Sequence, residues 1–223
     1  MSSGMIVILI LGGIGCLVLV AYVAQTMENA RQERRRRVLA LQDRTRHCWN
    51  LVTELPATYL PADIRSYLLS YLSSRCNEIL SLDPSNKEAK TQLASIAELK
   101  EKPYSSQLDS PEPIFNDPIT IKNTAGLIKN LVNFFVGIHK DGSLEKNTAL
   151  KHINQGKALY AVIKVDMLQL TAKQTESNDN ARLALSHYAQ CRKLLEPFEK
   201  KGQMPERISF INKRITALKT VVG

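Results

Sequence analysis

Residues 5–24 read Met5-Ile-Val-Ile-Leu-Ile-Leu-Gly-Gly-Ile-Gly-Cys-Leu-Val-Leu-Val-Ala-Tyr-Val-Ala24, twenty consecutive residues without a charged side chain. At 1.5 Å per residue, a helix of that length covers about 30 Å, the thickness of a bilayer's hydrocarbon core. Backbone groups in lipid must be bonded within the segment, so a helix is the conformation such a stretch adopts there, and it tolerates Gly12, Gly13 and Gly15. The reading is a single transmembrane helix preceded by a short tail, residues 1–4. Gly12 and Cys16 stand four apart as a small-xxx-small pair, a spacing that permits close helix pairing and hence a homo-oligomer. A cleaved leader fits less well. The first four residues carry no Lys or Arg, and Tyr22 stands where a cleavage site ending at Ala24 would want a small residue.

The flanks set the direction. No basic residue precedes the run, whereas Arg31, Arg34, Arg35, Arg36 and Arg37 follow it closely, which places the C-terminal part inside. From Glu28 to His47, seven Arg stand against Glu28, Glu33 and Asp43, a net of +4 within a chain total of +9. A surplus beside an apolar run points to the bilayer and its anionic head groups as partners more than to nucleic acid. The expected placement is single-pass, N-terminus out and C-terminal domain cytoplasmic, as at a bacterial inner membrane.

The remainder has the composition of a folded chain: 44% hydrophobic and 23% charged residues, with only 10 Gly and 9 Pro. Aromatics are sparse at 6%, and Leu, Ile, Ala and Val recur at helical spacing, so the expected fold is all-α. Between Gly15 and Pro56 no Gly or Pro interrupts the chain. The membrane helix is therefore expected to run on as a basic juxtamembrane helix, 25–55. There Val38, Leu41, Thr45, Cys48, Val52 and Leu55 form a short heptad seam, suited to docking on the domain or to self-pairing.

Residues 56–100 read as a helical hairpin. Ile64, Leu68, Leu69, Leu72, Cys76, Ile79 and Leu80 share one face; Asp83-Pro84 stops that helix; Ser85-Asn-Lys-Glu88 offers a capping box for the next. The stretch Leu80-Ser-Leu-Asp-Pro-Ser-Asn-Lys-Glu-Ala89, followed by Leu93, resembles the junction between successive tetratricopeptide repeats. That resemblance implies repeat-like packing of helix hairpins. Counting back one repeat from Pro84, the positions where the family favours Trp, Gly, Tyr and Ala hold Pro56, Leu60, Asp63 and Leu72, so no complete repeat is present.

From Glu101 to Lys122, Pro103, Pro111, Pro113 and Pro118 mark a linker or a packed loop. The region 123–223 resembles a four-helix bundle. Its first helix is capped by Asn123 or Thr124 and carries Leu127, Ile128, Leu131, Phe134, Phe135 and Ile138; the second runs from Ser143 to about Gln174 with Leu150 on its inner face. The third, 181–200, places Leu183 and Leu185 inside, and the fourth starts at Pro205.

Sites of chemistry are not evident. His47, His139, His152 and His187 are dispersed, and Cys16, Cys48, Cys76 and Cys191 lack a two-residue pairing, so neither metal nor redox motif is indicated. Gly12-Gly-Ile-Gly15 has no strand before it and no Lys-Ser/Thr after it, which excludes a phosphate loop. No catalytic, cofactor-binding or metal residue is assigned. Arg192, Lys193, Lys200, Lys201, Arg207, Lys213, Arg214 and Lys219 read as a solvated helix face interleaved with Glu. The expected function is a membrane-anchored, non-enzymatic protein-interaction scaffold or accessory subunit. The alternatives are a membrane-tethered nucleic-acid-binding module, and an enzyme whose site assembles around His139, His152 or Asp166.

Overall fold

The computed structural model describes the backbone of residues 3–102, 104 and 108–222, with side chains from residue 19 onward. Among the described residues the protein is all-α: α1 (Ser3–Glu54), α2 (Ala62–Leu82), α3 (Lys87–Glu101), α4 (Pro118–Lys140), α5 (Lys146–Ser177), α6 (Ala181–Glu199) and α7 (Pro205–Val222), with a 3-10 turn at Ala57–Tyr59. No helix of the described residues is long and apolar enough to cross a membrane. The side chains of 5–18, and with them the Gly12 and Cys16 pair, lie outside those residues.

Helix α1 is 52 residues long because nothing in its sequence after Gly15 breaks it. Its side chains are exposed from Leu19 through Arg37 and become covered from Val38 onward. The heptad seam docks on the domain: Thr45, Cys48, Leu51 and Leu55 are buried, and α1 packs on α2. Burial of Leu51, Leu55 and their partners contributes roughly 1.5–3 kcal/mol per large apolar side chain. That is what fixes the lower part of a helix whose side chains from Leu19 to Arg37 are exposed.

Apart from α3 and α4, helices consecutive in sequence pack on one another. Helix α2 packs on α1 and α3, α4 on α5, α5 on α6 and α6 on α7, while α1 also touches α4. The rings of Tyr67 on α2, Phe135 on α4 and His152 on α5 meet at centroid distances of 5.6, 5.2 and 4.8 Å, which ties the first hairpin to the second half. At Gly156 the α4–α5 crossing is so close that a Cβ would lie 2.6 Å from Val132 Cγ2.

Several local expectations are corrected. The cap of α3 is Asn86, whose side chain accepts from the Ala89 N–H at 3.0 Å; Ser85 instead donates its hydroxyl to the Asp83 carboxylate at 2.6 Å. Helix α4 starts at Pro118, ahead of Asn123 and Thr124, because Asp117 accepts from the N–H groups of Ile119 and Thr120 and Pro118 occupies the first turn, where its missing donor costs nothing. Leu150 and Leu183, expected inside, are 45% and 44% exposed. Helix α7 starts at Pro205 as expected, after a turn in which Gly202 takes φ +64°.

Candidate functional site

Three polar arrangements stand out, one sealed, one partly covered and one exposed. The sealed one centres on Asp166, which occupies a position on the apolar face of α5 alongside Val162, Val165 and Leu170. Its Oδ1 lies 2.8 Å from Arg207 Nη1 on the first turn of α7, and its Oδ2 accepts a hydrogen bond from the Tyr59 hydroxyl. All three side chains are 0% exposed. Arg207 also donates from Nε to the Ser110 carbonyl at 2.7 Å and from Nη2 to the Glu112 carbonyl at 3.4 Å, while its backbone N–H reaches Asp109 Oδ1 at 3.2 Å. Gln169 Nε2 holds the Pro111 carbonyl at 3.0 Å.

Burial raises the Asp166 carboxyl above its ordinary range, against the opposing pull of the Arg207 charge and the Tyr59 hydroxyl. The Tyr59 hydroxyl is pushed far up, first by burial and then by the Asp166 charge. Tyr59, Asp166 and Arg207 are thus paired within the interior, away from the surface. They join the 3-10 turn, the 109–112 loop, α5 and α7 into one unit.

A second cluster surrounds His152, which stacks on Phe135 at 4.8 Å and is nearly buried. Its Nδ1 lies 2.9 Å from Gln155 Oε1, and Gln155 Nε2 donates to Asp63 Oδ2 at 2.7 Å. Since the amide nitrogen already serves the carboxylate, the amide oxygen must accept, which places the proton on His152 Nδ1. Lys151 Nζ completes the group at 3.0 Å from Asp63.

The exposed arrangement is the arginine run of α1. Arg37 pairs with Glu33 at 2.6 Å and Arg44 with Asp141 at 3.0 Å. Among the described residues Arg31, Arg34, Arg35 and Arg36 make no ion pair. The side chains of Arg31, Arg34 and Arg35 line a groove of about 510 Å³ whose other wall is the α2–α3 turn.

The remaining sequence candidates scatter. His139 Nδ1 lies 3.1 Å from the Leu144 carbonyl at the α4–α5 turn, and His47 faces Phe134 at 6.0 Å. His139, His152 and Asp166 line none of the cavities of about 780, 510 and 420 Å³ among the described residues. Cys48, Cys76 and Cys191 are buried and unpaired with one another. Burial pushes the Cys76 and Cys191 thiols up to about 11 and about 12.

The solvated-face reading of the later basic residues is corrected for Arg207, which is buried, and modified for Arg192 and Arg214, which pair with Glu199 and Glu176. Lys193, Lys200, Lys201, Lys213 and Lys219 are exposed as expected. The Asp166–Arg207 pairing itself was not anticipated. Its one sequence signal is an acidic residue standing at an apolar register of α5. No family model matches the chain, and neither a curated protein nor a solved structure is similar to it.

Proposed function

We propose that this is a membrane-anchored, non-enzymatic interaction protein, held by the run Met5–Ala24 and presenting its helical domain to the cytoplasm. One observation carries the reading: α1 is a single unbroken helix whose described side chains from Leu19 to Arg37 are all exposed. Leu19, Val20, Tyr22, Val23 and Met27 are exposed there, continuing an uncharged run. An apolar helix surface of that extent, uncovered by its own chain, calls for another apolar phase. The segment from Gln25 to Arg37 then spans about 20 Å as a stalk. A free helix of such length is marginal in water, so its order comes from being clamped between the anchor and the docked seam.

The arginines in the second half of the stalk, Arg31 to Arg37, serve as direction markers and as contacts for the negatively charged membrane surface. Repeat-like hairpin packing supports a protein as the domain's partner. The nucleic-acid alternative needs one basic stripe on α6 and α7, and Arg192, Arg207 and Arg214 are engaged with carboxylates of the chain instead.

The test is alkaline extraction of native membranes with protease added to one side, followed by affinity capture of the full chain beside a chain lacking residues 1–27. The expected result is retention in the membrane, domain cleavage only from the cytoplasmic side, and a partner enriched with the full chain. Release at alkaline pH would sink the anchor. Capture of no partner by either chain would sink the scaffold.

A further inference from the structure

We infer that the groove between the arginine face of α1 and the α2–α3 turn is a binding site for the phosphate head group of one anionic phospholipid. The inference rests on the anchored reading above. Helix α2 runs antiparallel to α1 and ends at Leu82, so the turn through Asp83 and Asn86 forms the end of the first hairpin that faces up the stalk. Arg31, Arg34 and Arg35 stand on α1 at a spacing of three and four, which puts them on one face, and that face is the one bordering the turn.

Height decides the ligand. Counting from Ala24, the Cα atoms of Arg31 and Arg35 lie about 10 and about 16 Å beyond the apolar run. Helical side chains lean toward the N-terminus, here toward the bilayer, so the guanidinium groups return several ångström closer. The head-group layer extends about 5–8 Å past the hydrocarbon on each side. The Arg31 guanidinium therefore reaches the level where lipid phosphates lie, and Arg34 and Arg35 follow about 4–6 Å farther toward the domain.

Charge complements this position. None of the three arginines has a carboxylate partner among the described residues. The one acid in the groove, Asp83, is occupied by its own turn: its carboxylate accepts from the Ser85 N–H at 3.1 Å, the Ser85 hydroxyl at 2.6 Å and Asn86 Nδ2 at 3.3 Å. Planar guanidinium groups bind phosphate oxygens bidentately, and clustered arginines suit a phosphodiester better than a diffuse ion atmosphere does. Occupation of the groove would brace the hairpin against the stalk and so fix the domain's tilt over the membrane.

The experiment uses the full chain in nanodiscs of phosphatidylcholine, with and without a minority of phosphatidylglycerol, read by amide hydrogen exchange. Phosphatidylglycerol should slow exchange several-fold in residues 31–42 and 82–86. R31Q/R34Q/R35Q should abolish that slowing, while R36Q/R37Q, which alters other faces of α1, should keep it. Equal loss in both variants, or no slowing in the wild type, overturns the site. Slowing by inorganic phosphate in phosphatidylcholine discs as large as that by phosphatidylglycerol also overturns it, because the groove would then serve a soluble anion. Alkaline flotation of the same discs separates the two readings: a chain that floats with the lipid but shows no phosphatidylglycerol effect refutes the groove alone, and a chain left behind in the dense fraction refutes the anchor and the groove together.

Discussion

Arg207 Nη1 and Asp166 Oδ1 lie 2.8 Å apart with both side chains fully buried, joining α7 to α5 through a charge pair closed off from the surface. Two charges withdrawn from water are tolerated when each finds the other and its remaining hydrogen-bonding groups are met. Here Tyr59 and the carbonyls of Ser110 and Glu112 meet them.

Breaking this pair from one side leaves a buried charge alone. Asp166→Asn and Arg207→Met should each lower stability by about 3–5 kcal/mol. Tyr59→Phe leaves one carboxylate oxygen without its donor and should cost about 1–3 kcal/mol. The double change Asp166→Asn/Arg207→Met should cost less than the sum of the singles by about 1–3 kcal/mol, as residues that contact one another do not act independently. Urea unfolding followed by circular dichroism measures all four; additive losses would show that the pair does not act as a unit.

Helix α4 allows a contrast between two glycines. Gly156 on α5 faces it so closely that a Cβ would sit 2.6 Å from Val132 Cγ2, whereas a Cβ on Gly137 meets nothing within 4 Å. A methyl group at Gly156 forces the helices apart against a stiff β-branched side chain and should cost about 1–3 kcal/mol. Val132→Ala should recover part of that loss. Gly137→Ala removes backbone entropy from the unfolded chain at no steric expense and should stabilise by about 0.5–1 kcal/mol. Two melting curves of opposite sign check the pair, and a stabilised Gly156→Ala would refute the close crossing.

The all-α character was legible because buried positions such as Leu68, Leu72, Cys76 and Ile79 recur at the helical period, and periodicity is a local property. Caps were less legible, since Ser85 and Asn86 are both competent and only the backbone angle of the turn selects between them. Pro118 reads as a breaker until its neighbour Asp117 is seen to cap the helix that it starts. Arg207 could not be separated from the solvated lysines around it: the partner that draws it inward stands on another helix, and nothing in the local pattern of α7 records that. The groove at Arg31, Arg34 and Arg35 is half visible, its charge in the sequence and its second wall only in the way α2 folds back.

The buried thiols should be slow to react. Burial holds Cys76 and Cys191 at about 11 and about 12, so almost no thiolate is present near neutral pH. In a Cys16→Ala chain, a charged disulfide reagent should modify these thiols in the native state far more slowly than in urea. Prompt modification of the folded chain would contradict their burial.

Asp63 should leave a pH signature. Burial alone would raise its pKa, but the bonds from Gln155 Nε2, Lys151 Nζ and the Ile64 N–H outweigh it and hold the carboxyl below its usual value. A group depressed in the folded state contributes stability that is present above its unfolded pKa and is lost as pH falls through the folded one. The contribution therefore disappears on the acid side of the ordinary aspartate value, about 3.9. Carbon-detected titration of the Asp63 carboxyl should show a midpoint below that value. Gln155→Ala and Lys151→Ala should each move it upward, and the first should also leave His152 Nδ1 without its acceptor, broadening or shifting the ring signals. If the midpoint is the same in all three chains, the Asp63 carboxylate is not held by these residues in solution.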